Sequence, residues 1–452
     1  MTRGGRPPRV TSTTRKGEPE PGNKEVNPMR ILMIGAGGVG DAAAKIAVER
    51  DFFDAFVVAD YDLERAARTV AAVRERRGGE QRFHAIAVDA SDPDNVAAMV
   101  RLTGATHVLN AVDPRFVMPI FTGALAAGAN YLDMAMSLSH RHPDKPFELP
   151  HVKLGDEQFA QGTQWEGANR LALVGIGVEP GLSDIFARYA QDNLFVEIDE
   201  LGTRDGANLA YFGPDGSEAF APGFSMWTII EECLNPPVVW EKERAERGGS
   251  LEAGFFTLPP FSEPEVFDFP EGIGPVECVQ VEHEEVLLMP RWLDAKRVTF
   301  KYGLGEQMIS ILKALNALGL DSTEPITIKG VQVAPRDIVA AVLPDPATIG
   351  PQLTGKTCAG VHVTGTGTDG QPRSTYLYHV ADNEVTMRDY GAQCIVWQTA
   401  INPIVALELI ATGAWRGVGV LGPEAFPAEP FLDLLAAPKP EGYGSAWGIQ
   451  ER

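Results

Sequence analysis

The chain has 452 residues, of which 44% are hydrophobic and 22% are charged, a composition typical of globular proteins with two or three domains. Its 61 acidic and 39 basic side chains give a formal net charge of -22, which argues against a nucleic-acid or anionic-membrane partner. The four cysteines lie far apart, so no metal site or disulfide framework is expected. Without a secretory signal or an apolar span of ~20 residues, a cytoplasmic location is predicted.

The first 28 residues are rich in proline, glycine and charge and poor in large apolar side chains, which predicts a disordered leader over 1–28. From Met29 onward, strand-like apolar runs alternate with longer amphipathic stretches. The predicted strands are Arg30–Ile34, Ala55–Ala59, Phe83–Val88, His107–Ala111 and Tyr131–Ala135. The predicted helices between them are Val39–Glu49, Leu63–Arg76, Asn95–Leu102 and Phe116–Ala127. This alternation predicts an α/β fold with a doubly wound parallel sheet of the Rossmann type over 29–195.

The pattern changes over 196–395, where strand-like pieces are bounded by glycine and proline. They include "EIDELGTRDG", "VECVQVEHEEVLL", "RVTFKYGLG" and "STYLYHVAD". We expect a mixed α+β domain with a largely antiparallel sheet and a helix at Glu306–Leu318. The segment 396–452 opens with a strong helix, Val396–Thr412, and is expected to return to the first domain.

A glycine-rich loop follows the first predicted strand. The segment "GAGGVG" fits G-x-G-x-x-G, with a strand before it and a helix starting within it, which favours dinucleotide binding. The first glycine permits a tight turn, the second lets the backbone approach a pyrophosphate, and the last permits close packing of helix on strand. The cofactor-binding residues predicted here are Gly35, Gly37, Gly38, Val39 and Gly40.

Three further strand ends complete the predicted cofactor site. Asp60 ends the second strand about 20 residues beyond the loop, where a carboxylate would bind ribose hydroxyls and repel a 2′-phosphate. That favours NAD as the cofactor, with NADP as the second candidate. Asp89 ends the third strand, where it either borders the adenine or caps a helix. Asn110 and Ala111 end the fourth strand and are expected to border the nicotinamide ribose.

Several segments together resemble the saccharopine dehydrogenase-like reductases, a group that includes saccharopine reductase, carboxynorspermidine dehydrogenase and lysine 6-dehydrogenase. They include "ILMIGAGGVG", "HVLNAVDPRFVMPIFTGALAAGANYLDMA", "GIGVEPGLSDIFARYA", "EVFDFPEGIGPVECVQVEHEE" and "WQTAINPIVALELIATGAWRGVGVLGPEAF". The resemblance covers Met29 to about Leu435 and is strongest to the carboxynorspermidine dehydrogenase side.

The resemblance implies an enzyme that interconverts a C=N bond and an amine by hydride transfer, acting on an amino acid or a carboxyalkyl-amine. It also implies a discontinuous Rossmann domain, a second domain for substrate binding and dimerisation, and a homodimer. Relatives on the carboxynorspermidine side usually use NADPH, and Asp60 departs from the small or basic residue expected for that coenzyme.

Three residues are candidates for the catalytic chemistry. His283 has a side chain suited to proton exchange near neutral pH, and strand alternation in "VEHEE" would put His283 and Glu285 on one face. The alternative is a solvated acidic strand with a structural histidine. Asp133 ends the fifth strand near the expected nicotinamide and could orient a substrate amine, or it could form a turn.

Four residues are candidates for substrate binding. Arg291 could clamp a carboxylate with its planar guanidinium or form a surface ion pair. Gly181 and Ser183 open a helix whose backbone N–H groups could bind an anionic substrate, unless Ser183 caps that helix. Trp227 could line the substrate pocket or belong to the core.

The leading hypothesis is therefore an NAD(P)-dependent oxidoreductase of the saccharopine dehydrogenase type. The alternatives are a lysine 6-dehydrogenase, which releases ammonia, and a non-catalytic NAD(H)-binding protein.

Overall fold

A computed structural model of the chain describes residues 29–452, and the predicted leader at 1–28 lies outside the described residues. The first part contains β1 (Arg30–Ile34), α1 (Gly38–Ala47), β2 (Ala55–Asp60), α2 (Leu63–Arg76), β3 (Phe83–Ala87), α3 (Pro93–Thr103), β4 (His107–Asn110), α4 (Val117–Ala127), β5 (Asn130–Asp133), α5 (Asp156–Phe159), α6 (Gly162–Gly167), β6 (Leu171–Leu173) and α7 (Leu182–Asn193).

The middle part contains β7 (Phe195–Ala207), β8 (Ala210–Phe212), β9 (Glu218–Ala219), α8 (Met226–Leu234), β10 (Val238–Glu241), α9 (Lys242–Gly248), β11 (Phe255–Thr257), β12 (Glu265–Phe269), β13 (Gly274–Gln280), α10 (Glu285–Trp292), β14 (Ala295–Tyr302), α11 (Gly305–Ala317), β15 (Ile326–Ile328), β16 (Val331–Val333), α12 (Pro335–Val342), β17 (Leu353–Thr354), β18 (Lys356–Gly367), β19 (Pro372–Asp382) and α13 (Asn383–Tyr390). The last part contains α14 (Cys394–Thr412), β20 (Gly419–Leu421), α15 (Glu429–Ala436) and β21 (Gly448–Glu451).

The first sheet has seven parallel strands in the order β20-β6-β5-β4-β1-β2-β3. The chain builds outward from β1 to β3, then crosses to β4 and builds in the opposite direction. The order therefore reverses between β1 and β4, at the carboxyl edge where open α/β sheets bind ligands. Strands β2 and β4 are buried along their whole length, as expected of a parallel sheet covered on both faces. The predicted doubly wound fold is confirmed.

The second sheet has nine strands and is mostly antiparallel. Its main path runs β11-β10-β14-β7-β18-β19-β21, and the β12–β13 hairpin attaches to β14. Strands β7 and β14 pair in parallel, while β18 pairs antiparallel with both β7 and β19. The predicted mixed second unit is confirmed in type.

The last part of the chain contributes to both sheets. Strand β20 extends the first sheet beside β6, whereas β21 pairs with β19 in the second sheet. Helix α14 packs against α1. Among the described residues it is the one helix long and apolar enough to span a bilayer, yet 72% of its apolar window is buried inside the protein, as in a core helix.

One predicted element is wrong in a way that affects the site. The segment "VECVQVEHEEVLL" was expected to be a strand throughout, but β13 ends at Gln280 and α10 begins at Glu285. The apolar residues that follow, Val286–Met289, are all buried. A short continuous apolar run cannot distinguish a buried strand from a buried helix, which explains the error. His283 therefore lies in the connection that leads into α10.

Candidate active site

The glycine loop has the geometry that a pyrophosphate requires. Gly35 has φ +108°, and a Cβ there would collide with the carbonyl oxygen of Ala111 on the neighbouring strand end. A Cβ at Gly40 would collide with the carbonyl oxygen of Gly35, so α1 packs directly on the turn. A Cβ at Gly37 would meet no atom within 4 Å. The loop therefore leaves open space at the N-terminus of α1, where a dinucleotide's pyrophosphate binds.

The rest of the predicted loop lies at the same helix start. Gly38 and Val39 are the first residues of α1, and a Cβ at Gly38 would lie 3.4 Å from Val396 of α14 and from Ala347. The helix start is thus enclosed on one side by the later part of the chain, which fits a site that holds a coenzyme between the two units.

Asp60 ends β2 with a carboxylate that is bound to the backbone. Its Oδ2 accepts a hydrogen bond from the Ala36 N–H at 2.8 Å, and its Oδ1 accepts one from the Asp62 N–H at 3.0 Å. Arg65 Nη1 lies 3.7 Å from Asp60 Oδ1. The carboxylate therefore joins the glycine loop to the β2–α2 turn and faces a cationic side chain.

The other predicted strand-end residues differ in their surroundings. Asn110 is buried at the end of β4, where its side chain accepts from the Val112 N–H and donates to the Tyr131 hydroxyl. The backbone of Ala111 lies directly beside Gly35. Asp89 is exposed and accepts from the backbone N–H and hydroxyl of Ser91, whose hydrogen bonds lower the pKa of Asp89. Its contacts are those of a turn-forming residue.

His283 and Glu285 are in direct contact. Their Nδ1 and Oε2 atoms lie 2.5 Å apart, and the Phe300 ring stacks on the imidazole with centroids 3.9 Å apart. Burial alone would lower the pKa of His283, but the Glu285 carboxylate outweighs it and, with Glu284, raises that pKa to about 10. The imidazole is therefore cationic at neutral pH. In the described part of the chain Nε2 has no hydrogen-bond partner.

Around this pair lies a group of buried carboxyl groups, here called the acidic cluster. Its members come from the turn before α7, from β7, from α8 and from the start of α10. They are Glu179, Asp205, Glu232, Glu282, Glu284 and Glu285. Unpaired buried oxygens remain on Glu179, Glu232 and Glu285. Burial raises the pKa of Asp205 to about 7 and those of Glu232 and Glu282 to about 8.

The acidic cluster adjoins the carboxyl edge of the first sheet. Glu284 Oε1 accepts a hydrogen bond from the Met136 N–H at 3.1 Å, just beyond the end of β5. The ligand atoms of His283, Glu284 and Glu285 lie within 4.8 Å of one another, so the imidazole and the two carboxyl groups form one compact polar group. This arrangement brings proton-holding groups to the edge that carries the glycine loop.

Asp133 does not have a free carboxylate for a substrate amine. Oδ1 accepts from the Gly175 N–H and Oδ2 accepts from the Gln158 side chain, both at 2.7 Å. Burial raises its pKa to about 7. Asp133 holds the end of β5 against the neighbouring segments, and its action on a substrate amine stays a prediction.

The donors of the turn at Gly181 and Ser183 have partners within the protein. The Gly181 N–H donates to Asp184 at 2.7 Å, and the Ser183 hydroxyl donates to Glu179 at 2.8 Å. The N–H groups of Leu182 and Ser183 already bond to carbonyls in the same turn. These donors are therefore occupied within the turn, and the binding of an anionic substrate here stays a prediction.

Arg291 and Trp227 also have other partners. Arg291 lies at the far end of α10 from His283, donates to the Leu287 carbonyl and stacks on Phe159 at 3.9 Å. Trp227 is buried, with the guanidinium groups of Arg115 and Arg336 over its ring at 4.5 and 4.7 Å. Arg291 and Trp227 therefore have packing contacts in this structure, and their roles as a carboxylate clamp and a pocket wall stay predictions.

The residues that the sequence prediction missed are most of the acidic cluster. Glu179, Asp205 and Glu232 lie far apart in sequence and match no short motif. For Glu232, the neighbouring sequence contained a usable signal. Glu232 lies in the apolar helix "MWTIIEECL", and a carboxylate in such a segment is expected to be buried.

The parallel sheet, the open glycine loop and the adjoining proton-holding residues define a dinucleotide-dependent oxidoreductase. Two family models cover nearly all of the described chain. "Saccharopine dehydrogenase NADP binding domain" matches residues 31–173, and "Saccharopine dehydrogenase C-terminal domain" matches residues 177–438. The chain belongs to the saccharopine dehydrogenase family and is an NAD(P)-dependent oxidoreductase.

Similar proteins extend over the whole described length. A carboxynorspermidine synthase of Vibrio alginolyticus is 29% identical over 94% of this chain and 97% of its own length. A carboxyaminopropylagmatine dehydrogenase of a Synechocystis strain is 28% identical over 90% and 95%. The solved structure of an L-Glu-forming saccharopine dehydrogenase from Saccharomyces cerevisiae matches with a TM-score of 0.62 at 12% identity, covering 94% of this chain and all of that one. That structure supports the fold.

Proposed function

We propose that the chain reduces the C=N bond between a cationic polyamine and a carboxylated aldehyde, giving a carboxyalkyl-polyamine of the carboxynorspermidine type. The observation that carries this proposal is the acidic cluster around His283. A substrate with several ammonium groups supplies the positive charge that this buried site lacks. Saccharopine and lysine offer fewer ammonium groups than a carboxyalkyl-polyamine for the same carboxyl groups.

The excess of buried carboxyl groups over cationic groups at this site strongly favours an amine as the substrate. The acidic cluster has six carboxyl groups around a single imidazole-containing segment, and oxygens on Glu179, Glu232 and Glu285 have no donor in the described part of the chain. A buried carboxylate without a partner is unfavourable, so it either keeps a proton or binds a cation. Ammonium groups of a polyamine donate hydrogen bonds to such oxygens and carry the opposite charge. The names of two curated relatives, which refer to polyamine derivatives, support the same class.

Bound NAD(P)H supplies the hydride for the reduction. Gly37 and the start of α1 hold the pyrophosphate, and Asn110 and Ala111 border the nicotinamide end of the site. His283 is held cationic by Glu285, so its free Nε2–H can donate a proton toward the nitrogen of the C=N bond as the hydride arrives at carbon. Glu284 fixes the start of α10 to the end of β5 through the Met136 N–H.

Each of the three parts of the chain has its own role in the proposed reaction. We infer that residues 29–195 bind the coenzyme, residues 196–395 bind the substrate and form the interface of a homodimer, and residues 396–452 close the coenzyme site. A cytoplasmic polyamine pathway would be its setting.

The test is the reductive reaction with purified protein. NADPH or NADH is mixed with 1,3-diaminopropane or agmatine and an amino-acid semialdehyde, and the product is identified by mass. A secondary amine is expected whose mass is the sum of the amine and the aldehyde, less one water lost on condensation and plus two hydrogens gained on reduction. Turnover only with ammonia as the amine would instead identify a lysine 6-dehydrogenase type of reaction.

A further inference from the structure

The imidazole of His283 lies face to face with a phenyl ring. The rings of His283 and Phe300 have centroids 3.9 Å apart and planes inclined by 6°. Two neutral aromatic rings prefer an offset or edge-on arrangement, with centroids about 4.5 to 7 Å apart. The neighbouring rings of Phe300 and Tyr302 have that arrangement, at 6.3 Å and 76°. The closer, nearly parallel stack is the one in which a cation faces the negative surface of a ring.

Strand β14 holds the phenyl ring in place. Phe300 is fully buried, and it lies in register with Thr203 of β7, which is fully buried as well. Side chains alternate along a strand, so Phe300 and Tyr302 lie on the same face of the sheet. Asp205 of the acidic cluster is the cross-strand neighbour of Tyr302. The ring therefore belongs to a rigid element of the site, which is what a group needs to fix the plane of another side chain.

The other groups near the imidazole differ in charge from the phenyl ring. Tyr302 on β14 is neutral, because burial and the nearby carboxyl groups hold its pKa well above its usual value. Four carboxyl groups attract the charge of His283. They are Glu284 and Glu285 at the start of α10, Glu232 on α8 and Asp205 on β7. The stack thus adds an uncharged, non-titrating face to a group of titrating neighbours.

Two contacts together fix the direction of the free N–H group. The contact of Nδ1 with Glu285 alone leaves the ring free to turn about the line that joins the two atoms. The stack on Phe300 alone leaves the ring free to turn within its own plane. With both contacts present, the Nε2–H bond has a single direction, as a proton donor in a fixed site requires.

We propose that Phe300 is a positioning residue of the site, which holds the cationic imidazole of His283 in the plane that directs its Nε2–H group at the reacting nitrogen. The phenyl face also favours the charged form of the imidazole, because the negative surface of the ring attracts a cation more than a neutral group. The positioning of the proton rests on the proposed function. The effect on the charge of His283 is independent of any substrate.

Fluorinated phenylalanines at position 300 test the interaction with little change in the shape of the side chain. One, two or three fluorine atoms make the ring face less negative in steps, and each step weakens its attraction for a cation. The pKa of His283 is measured by NMR of isotope-labelled histidine, with His283→Gln to identify the signal. We expect it to fall at each step, by about half a pH unit with three fluorines. The same series at Phe83, which stacks on Phe56 in the first sheet, is the control and should leave this pKa unchanged.

Steady-state kinetics test the positioning role. Phe300→Leu removes the ring and should lower kcat/KM at pH 8 about tenfold, while KM for the amine changes by less than about twofold. Phe300→Tyr keeps an aromatic face and should retain most of the activity. Phe83→Leu removes another fully buried ring, from the first sheet, and measures the effect of lost packing alone. Thermal denaturation of each variant shows how much stability is lost.

Three results would overturn the proposal. The first is a pKa of His283 that stays constant along the fluorine series at position 300. The second is a Phe300→Leu variant with the kcat/KM of wild type, and the third is an equal loss of kcat/KM in Phe83→Leu. A wild type that turns over no carboxyalkyl-polyamine would contradict the proposed function instead, and the fluorine series would still decide whether Phe300 faces a cation.

Discussion

His283 Nδ1 and Glu285 Oε2 lie 2.5 Å apart inside the protein, and this contact keeps a histidine cationic where burial alone would make it neutral. His283 lies in the connection just before α10, and Glu285 is the first residue of that helix. The chemistry of the proposed site depends on this pair because His283 supplies a cationic proton donor, whereas all members of the acidic cluster are carboxyl groups.

Replacement of Glu285 by glutamine should change the pH dependence of the reaction. The main cause that raises the pKa of His283 is removed, so this pKa falls and the imidazole loses its proton at a lower pH. We expect the reductive kcat/KM at pH 8 to fall by about 10²-fold and the alkaline limb of the pH profile to move toward acid. The dissociation constant for NADPH should not change. An alkaline limb that stays where it is would contradict the proton-donor role.

Replacement of Glu232 by glutamine should weaken amine binding. Glu232 is buried beside His283 and carries an unpaired oxygen, so an ammonium group gains a charge-assisted hydrogen bond there. We expect KM for the amine to rise about tenfold, with a smaller change in KM for the aldehyde. Glu243→Gln on α9 is the control, because that carboxylate is exposed and pairs with Arg247. An equal effect of the two variants would count against the acidic cluster as the amine site.

Replacement of Gly37 by alanine and replacement of Gly40 by alanine should have different effects. Gly37 has φ -72° and open space around a new Cβ, so Gly37→Ala should fold normally and bind NADPH at least tenfold more weakly. Gly40→Ala places a Cβ against the Gly35 carbonyl and should lower the free energy of unfolding by about 2 kcal/mol or more. Thermal denaturation with and without NADPH separates the two effects. A Gly37→Ala protein with normal coenzyme affinity would show that the open space is not the pyrophosphate site.

Stability should fall as the pH rises. The folded pKa values of Asp205, Glu232 and Glu282, about 7 to about 8, lie above their ordinary values, so the folded state keeps protons that the unfolded chain has released. Their contribution is complete below the ordinary pKa of each carboxyl group and is lost as the pH rises through the folded values. The folded pKa of His283 is also raised, so its contribution to stability changes in the same direction and is lost as the pH rises toward 10.

We therefore expect a lower Tm at pH 8.5 than at pH 6, and Glu232→Gln should reduce that difference. A polyamine substrate should raise the Tm more at pH 8.5 than at pH 6, because more of the carboxyl groups are ionised there. A Tm that rises over this pH range would show that the acidic cluster does not hold protons in the folded state.

The sequence predicts the first sheet well because its signals are local. Buried strands such as Ile31–Ile34, the glycine spacing and the alternation with helices are each contained in short windows. The candidate site is less predictable because its residues meet only in three dimensions. Glu179 and Asp205 belong to different elements and are brought together by the turn before α7 and by β7.

The pair of His283 and Glu285 was predicted by a wrong argument. Strand alternation suggested that the two side chains share a face, whereas the contact is made in the segment that enters α10. A sequence shows which donors and acceptors exist at Gly181 and Asp133 but not which of them are already occupied. Their partners, Asp184 and Gln158, became visible only in the folded chain.

The most direct measurement is the rate of NADP⁺ or NAD⁺ reduction at 340 nm with carboxynorspermidine, saccharopine and lysine offered separately to the purified protein. We expect turnover with carboxynorspermidine, which releases a diamine and an aldehyde. The rates with saccharopine and lysine should be at least a hundredfold lower. Preferential turnover of saccharopine or lysine would contradict it, because the acidic cluster would then not select a polyamine.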